Sequence, residues 1–145
     1  MTYSELLNVI LLLITMFLWG TTPLLEKVAL KETEPLAGVF IRSLAITVIL
    51  FIVYIFNGRI GELTKMSFKN IALFSASGFM AGLLGMWTYF YVLKAGLLSK
   101  IVPIAAAYPL ITAVLSILIM REGVTLQRMA GILLTIIGII LIQQS

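Results

Sequence analysis

The feature that most constrains this chain is a series of long apolar runs, separated by short stretches that carry nearly all its charge. A helix needs about 20 apolar residues to cross the hydrocarbon core of a bilayer. Four runs reach that length: Leu6 to Val28, Leu36 to Phe56, Ile71 to Leu93 and Leu98 to Met120. A fifth, Met129 to Ile142, is only 14 residues long. Extended from Leu126 to Gln144, with Arg128 snorkelling at one end, it too reaches across. Backbone in lipid must satisfy its own hydrogen bonds, which leaves helices or closed barrels. These runs are too continuously apolar for barrel strands. The expectation is an all-α membrane protein, a bundle of five transmembrane helices, forming a single domain over residues 1–145.

Composition agrees. The chain is 61% hydrophobic and 11% charged, less than half the charged fraction of soluble domains, which is about 25%. A net charge of +4 could suit a nucleic-acid partner, but the ten Lys and Arg are scattered over short loops and form no patch. Cys, His and Asp are all absent, and the six acids are all Glu. Disulfides, Cys/His metal sites and His- or Cys-based catalysis are thereby excluded. Neither an enzyme nor a cofactor is expected. The first run follows no Lys or Arg and precedes no small-residue cleavage site, so it reads as a retained helix rather than a signal peptide.

Punctuation separates the spans. Glu26 to Glu34 is a charged hinge, and Pro35 stands where a second helix would begin. Asn57-Gly58-Arg59-Ile60-Gly61 marks a turn, and the loop runs on to Lys69. Lys94-Ala95-Gly96 and Arg121-Glu122-Gly123 close the next two spans.

Several faces carry chemistry. On the first helix Asn8, Thr15, Trp19, Thr22 and Glu26 are spaced 7, 4, 3 and 4 apart, which places them on one narrow stripe. A polar stripe along a span faces other helices or water, so it reads either as interhelical hydrogen bonding or as a solute pathway. Arg42, two turns into the second helix, either snorkels or pairs with Glu26. On the third helix Gly78, Gly82, Gly85 and Tyr89 form a small-residue groove, as do Gly131, Thr135 and Gly138 on the fifth. Both read first as close helix packing, within one chain or between two. Met80, Leu84, Trp87 and Tyr91 make a large-residue face, suited to lipid, to a core or to an aromatic wall for an organic solute. The first half of the fourth run holds Pro103 and Tyr108-Pro109. Each proline removes a hydrogen bond to the carbonyl four residues earlier, at Ser99 and Ala105. Such spans are either static kinks or transporter binding sites.

Trp19-Gly20 followed by Pro23, Arg42 early in the second span, and Ala107-Tyr108-Pro109-Leu110 leading to Arg121-Glu122, Gly131 and Gly138 together resemble the EamA-like domains of the drug/metabolite transporter superfamily. The resemblance covers nearly the whole chain. It implies a five-helix module that moves metabolites, amino acids or drugs, used singly or as two inverted copies. Small multidrug resistance proteins look like distant relatives, with a last helix that dimerises through a similar pair of glycines. Their acid in the middle of the first helix has no counterpart here.

The functional expectation is a secondary carrier of a small organic solute in the prokaryotic cytoplasmic membrane. Thr15, Trp19, Thr22, Glu26, Trp87, Tyr91, Tyr108 and Pro109 would line the solute site, and Gly131, Thr135 and Gly138 the dimer interface. The partners are then the lipid bilayer, the solute and a second copy. The other reading is a non-transporting membrane subunit that stabilises or regulates a partner transporter. Orientation is weakly specified. One set of loops carries Arg59, Lys65, Lys69, Arg121 and Arg128, the other Lys27, Lys31, Lys94 and Lys100. That near balance allows an antiparallel homodimer.

Overall fold

The structure is a computed structural model that describes residues 3–123 and 125–145. Among the described residues, five stretches are helical, long and apolar enough to cross a membrane: Tyr3–Ala29, Pro35–Phe56, Phe68–Ala95, Leu98–Met120 and Leu126–Gln144. No strand occurs among the described residues. The chain divides into two compact units, the first running through Ala95 and the second from Gly96 to Ser145.

The first unit opens with α1 (Tyr3–Ala29), which continues through Pro23. Helix α2 (Pro35–Phe56) starts on Pro35, which has no N–H to leave unsatisfied, and the Glu34 carboxylate accepts the Ala37 N–H at 3.0 Å. Asn57 closes α2 and Gly58 turns the chain at φ +63°. A short helix, α3 (Ile60–Thr64), then interrupts what the sequence presents as a plain loop. Arg59 Nε lies 2.9 Å from Glu62 Oε1, and that hydrogen bond holds the Glu62 carboxyl below the usual range. The third span starts at Phe68, capped by the Ser67 hydroxyl, three residues before the apolar run begins at Ile71.

That span is not one α-helix. Helix α4 (Phe68–Ser77) passes into a π-helical segment, Gly78–Gly85, and then into α5 (Met86–Ala95). The Met86 N–H reaches back five residues to the Ala81 carbonyl. The π segment contains all three glycines of the expected packing groove. Within the unit, a Cβ on Gly78 or Gly82 would meet no atom within 4 Å. The groove is therefore not a close helix contact inside this unit.

The close contact lies elsewhere. A Cβ on Gly38 would sit 3.3 Å from two ring carbons of Phe90, so α2 and α5 approach each other through a position that only glycine leaves empty. Around it Leu30, Val39, Phe90 and Leu93 are buried. The cluster stands beside Lys27, Lys31, Glu32 and Lys94, at the charged end of the spans. Burial from water contributes there, whereas between lipid-bathed helices it does not. Lys27 Nζ donates to the carbonyls of Leu93 (2.7 Å) and Lys94 (3.0 Å), and Lys94 Nζ donates to that of Thr33 (2.8 Å). The two Lys27 bonds satisfy carbonyls that the end of α5 would otherwise leave open, and the Lys94 bond satisfies one in the loop after α1.

The second unit consists of α6 (Leu98–Ala105), α7 (Tyr108–Met120) and α8 (Leu126–Gln144). Helix α7 ends on Arg121 in the left-handed region at φ 54°. The Thr125 hydroxyl caps α8 by accepting the Arg128 N–H at 3.2 Å. In each unit most apolar side chains of the spans remain exposed to whatever surrounds it. Such surfaces suit lipid and other helices, not water.

Candidate solute site

The stripe on α1 is partly turned inward. Thr15, Thr22 and Glu26 are half-buried, Pro23 is buried, and Trp19 is 65% exposed. Both threonine hydroxyls bond within their own helix, Thr15 to the Leu11 carbonyl (2.9 Å) and Thr22 to that of Leu18 (2.8 Å). Neither therefore needs a neighbouring helix to satisfy its donor.

Glu26 is different. Its side chain is only 11% exposed, and Oε1 is buried without a hydrogen-bond donor among the described residues. Arg42 on α2 is its ion-pair partner, with Nε 3.7 Å from Oε1. At that distance the charges attract, but no hydrogen bond forms. Tyr89 on α5 lies within electrostatic reach of the same carboxylate. Three helices thus meet around one acid. Of these residues the sequence pattern marks Glu26 and Arg42 directly, whereas Tyr89 reads only as the last member of a glycine groove. Lys27, the next residue, turns away to the end of α5.

Trp87 and Tyr91 stand on α5 at 42% and 71% exposure, and Met80 and Leu84 of the preceding π segment are exposed as well. They form an open aromatic face of the first unit rather than part of its core.

Tyr108 and Pro109 belong to the second unit. The fourth span breaks at Ala106 and Ala107, between α6 and α7. Pro103 is retained inside α6, while Pro109 occupies the first turn of α7, where an N–H has no helical partner to lose. Pro109 therefore starts a helix instead of kinking one. Beside the break is an open cleft of about 390 Å³, lined by Ala106, Ala107, Pro109, Arg128, Gly131 and Thr135 among others. Leu110 and Ile132 contribute to a mainly apolar lining. Arg128 at its edge is held by the Gly123 carbonyl (3.1 Å) and by Glu122 (3.5 Å). Tyr108 is exposed and is not among the lining residues. Within the unit, a Cβ on Gly131 or Gly138 would meet nothing within 4 Å.

Five long apolar helices with most of their apolar side chains exposed define a helical membrane protein. Comparison gives the family: the profile of the EamA-like transporter family matches residues 6–144, and the chain belongs to that family. Its members are transporters, not enzymes. An uncharacterized protein of Methanocaldococcus jannaschii is 30% identical over 137 residues, covering 94% of this chain and 96% of that protein. An uncharacterized transporter of Helicobacter pylori is 25% identical over 143 residues, covering 98% of this chain but 47% of its own length. No solved structure matches the chain.

Proposed function

We propose that residues 1–145 act as one transport module, a secondary carrier for a small organic solute in the cytoplasmic membrane of a prokaryote. The observation that carries this reading is Glu26, an acid in the last turn of a membrane-spanning helix, with a buried oxygen that has no hydrogen-bond donor among the described residues. Ionisable groups at such positions are costly and persist where they serve a pathway. In the first unit Thr15, Trp19, Thr22 and Glu26 on α1 contribute one wall, and Trp87 and Tyr91 an aromatic surface. Family membership and the match to half of a longer transporter support pairing of two modules around a shared cavity. The second copy is proposed as another chain of the same kind.

The test is uptake by purified protein in liposomes against a panel of labelled metabolites and drugs. Saturable uptake of at least one solute, reduced tenfold or more in Glu26→Gln, is the expected outcome. Uptake equal to empty liposomes across the panel favours the non-transporting subunit. A second measurement uses the absence of native cysteine. Cysteines at Thr15, Thr22 and Glu26 should react with a small polar thiol reagent faster than cysteines at Leu12 or Ile14.

A further inference from the structure

We propose that the π segment Gly78–Gly85 is a hinge that lets α4 rotate about an anchored α5. The inference goes beyond the carrier reading and is tested without any solute.

The two halves of the third span are held very differently. Phe90 and Leu93 of α5 are buried, Gly38 closes on the Phe90 ring, and the Leu93 and Lys94 carbonyls are bound by Lys27. Helix α4 has no buried residue at all. Between them lies an i→i+5 stretch of eight residues, where π-helix is usually found as single-turn bulges. Each such turn holds one residue more than an α turn, so returning to i→i+4 bonding moves that residue into the helix. Per residue of register, α4 then turns by about 100° and shifts by about 1.5 Å relative to α5.

The residues of the segment suit such an exchange. Gly78, Gly82 and Gly85 each lower the preference of the segment for helix over open chain, by roughly a fivefold factor relative to Ala, so its hydrogen bonding is easier to rearrange. Gly85 also has a role specific to the π form, because a Cβ there would lie 3.2 Å from the Met80 carbonyl oxygen. At Gly82 the same addition meets nothing within 4 Å. Alanine at 85 therefore opposes the π form sterically, and alanine at 82 does not. Deleting Gly82 acts in the opposite direction: it removes the extra residue and keeps α4 facing as it does here, now in an α-helix.

The experiment measures distances between spin labels on Phe74→Cys and Ile49→Cys, both at exposed positions. The labelled chain is diluted with unlabelled chain in lipid nanodiscs, so that only intramolecular pairs are read. The expected wild-type result is two distance populations. Deletion of Gly82 should leave only the one matching this structure. Gly85→Ala should enrich the other roughly fivefold relative to Gly82→Ala, and it serves also if the deletion fails to fold. A single wild-type population, or two populations that persist unchanged in the deletion and in Gly85→Ala, overturns the hinge.

Discussion

Arg42 on α2 reaches across to Glu26 on α1 with Nε 3.7 Å from Oε1, near enough to neutralise the acid and too far to hydrogen-bond it. The pair is unequal, since the Arg42 side chain is 41% exposed and that of Glu26 11%. Removing the arginine strands a buried carboxylate, whereas removing the acid leaves a long side chain free to snorkel. Arg42→Gln should therefore cost about 1–2 kcal/mol of stability and Glu26→Gln less than about 1 kcal/mol. The double variant should cost less than the sum. Thermal unfolding of the four proteins in one detergent checks this. A Glu26→Gln loss larger than that of Arg42→Gln would reverse the assignment of which partner needs the other.

Gly38 gives a second prediction. Adding a methyl group brings it to 3.3 Å from the Phe90 ring, so the ring must yield slightly. The helix propensity gained from Gly to Ala, about 0.5–1 kcal/mol, offsets most of that strain. Gly38→Ala should be within about 1 kcal/mol of wild type, while Gly38→Leu should lose about 2–3 kcal/mol by overpacking. Phe90→Ala, which empties the space, should rescue part of the leucine variant. Melting temperatures read all three; additive losses in Gly38→Leu/Phe90→Ala would place the contact elsewhere.

The spans were legible because the bilayer imposes one length and one composition. The fifth span matches the extended run, Leu126 to Gln144, and Pro35 starts α2 as a helix-initiating proline should. Pairing of Arg42 with Glu26 was readable as one of two alternatives to weigh, the other being snorkelling, because Glu26 is the one acid on the α1 stripe and Arg42 stands two turns into α2. The Gly38–Phe90 contact was not, because a single glycine in the first turn of a helix looks like a weak cap rather than a groove. The π segment was hidden for another reason. Its three glycines fit an α-helical groove at spacings of 4 and 3, and apolar periodicity does not distinguish i→i+4 from i→i+5 bonding inside an all-apolar run. Helix α3 is too short for periodicity to register, though Arg59 and Glu62 at i and i+3 are its visible trace.

The face of α8 formed by Gly131, Thr135 and Gly138 yields a third prediction. Thr135 donates to the Gly131 carbonyl at 2.9 Å, so the row presents little beyond backbone, methyl and Cα hydrogens. Helices in lipid associate through such surfaces. Gly138→Leu should weaken self-association at least tenfold, read by single-molecule photobleaching in bilayers at several dilutions. Gly138 is the informative position because it does not line the cleft, whereas leucine at 131 would also fill space beside Ala106 and Pro109. Wild-type association in both leucine variants would move the interface to another face.

The last prediction concerns orientation. Under the positive-inside rule, Lys and Arg in short loops retain their side of the membrane in the cytoplasm. With five spans, the loop after α2 and the loop between α7 and α8 share one side and carry Arg59, Lys65 and Arg121, with Lys69 and Arg128 at helix ends. The loop after α1 and the link before α6 share the other, with Lys31, and with Lys27, Lys94 and Lys100 at helix ends. Arg42 lies within a span and does not count. The balance is five against four. In the folded chain Lys27 donates to the carbonyls of Leu93 and Lys94, and Lys94 to that of Thr33. Those bonds form only after folding, however, so during insertion both charges still count. The chain should therefore insert in both orientations, and opposed copies would supply the inverted pair that two-module carriers use. A reporter fused after Ser145 and read on each side of the membrane should give signal on both. Adding two lysines to the 59–69 loop should drive the population to one side, and adding two near Lys31 should drive it to the other. Signal confined to one side and unmoved by either pair would exclude dual insertion and leave a parallel dimer as the arrangement to test.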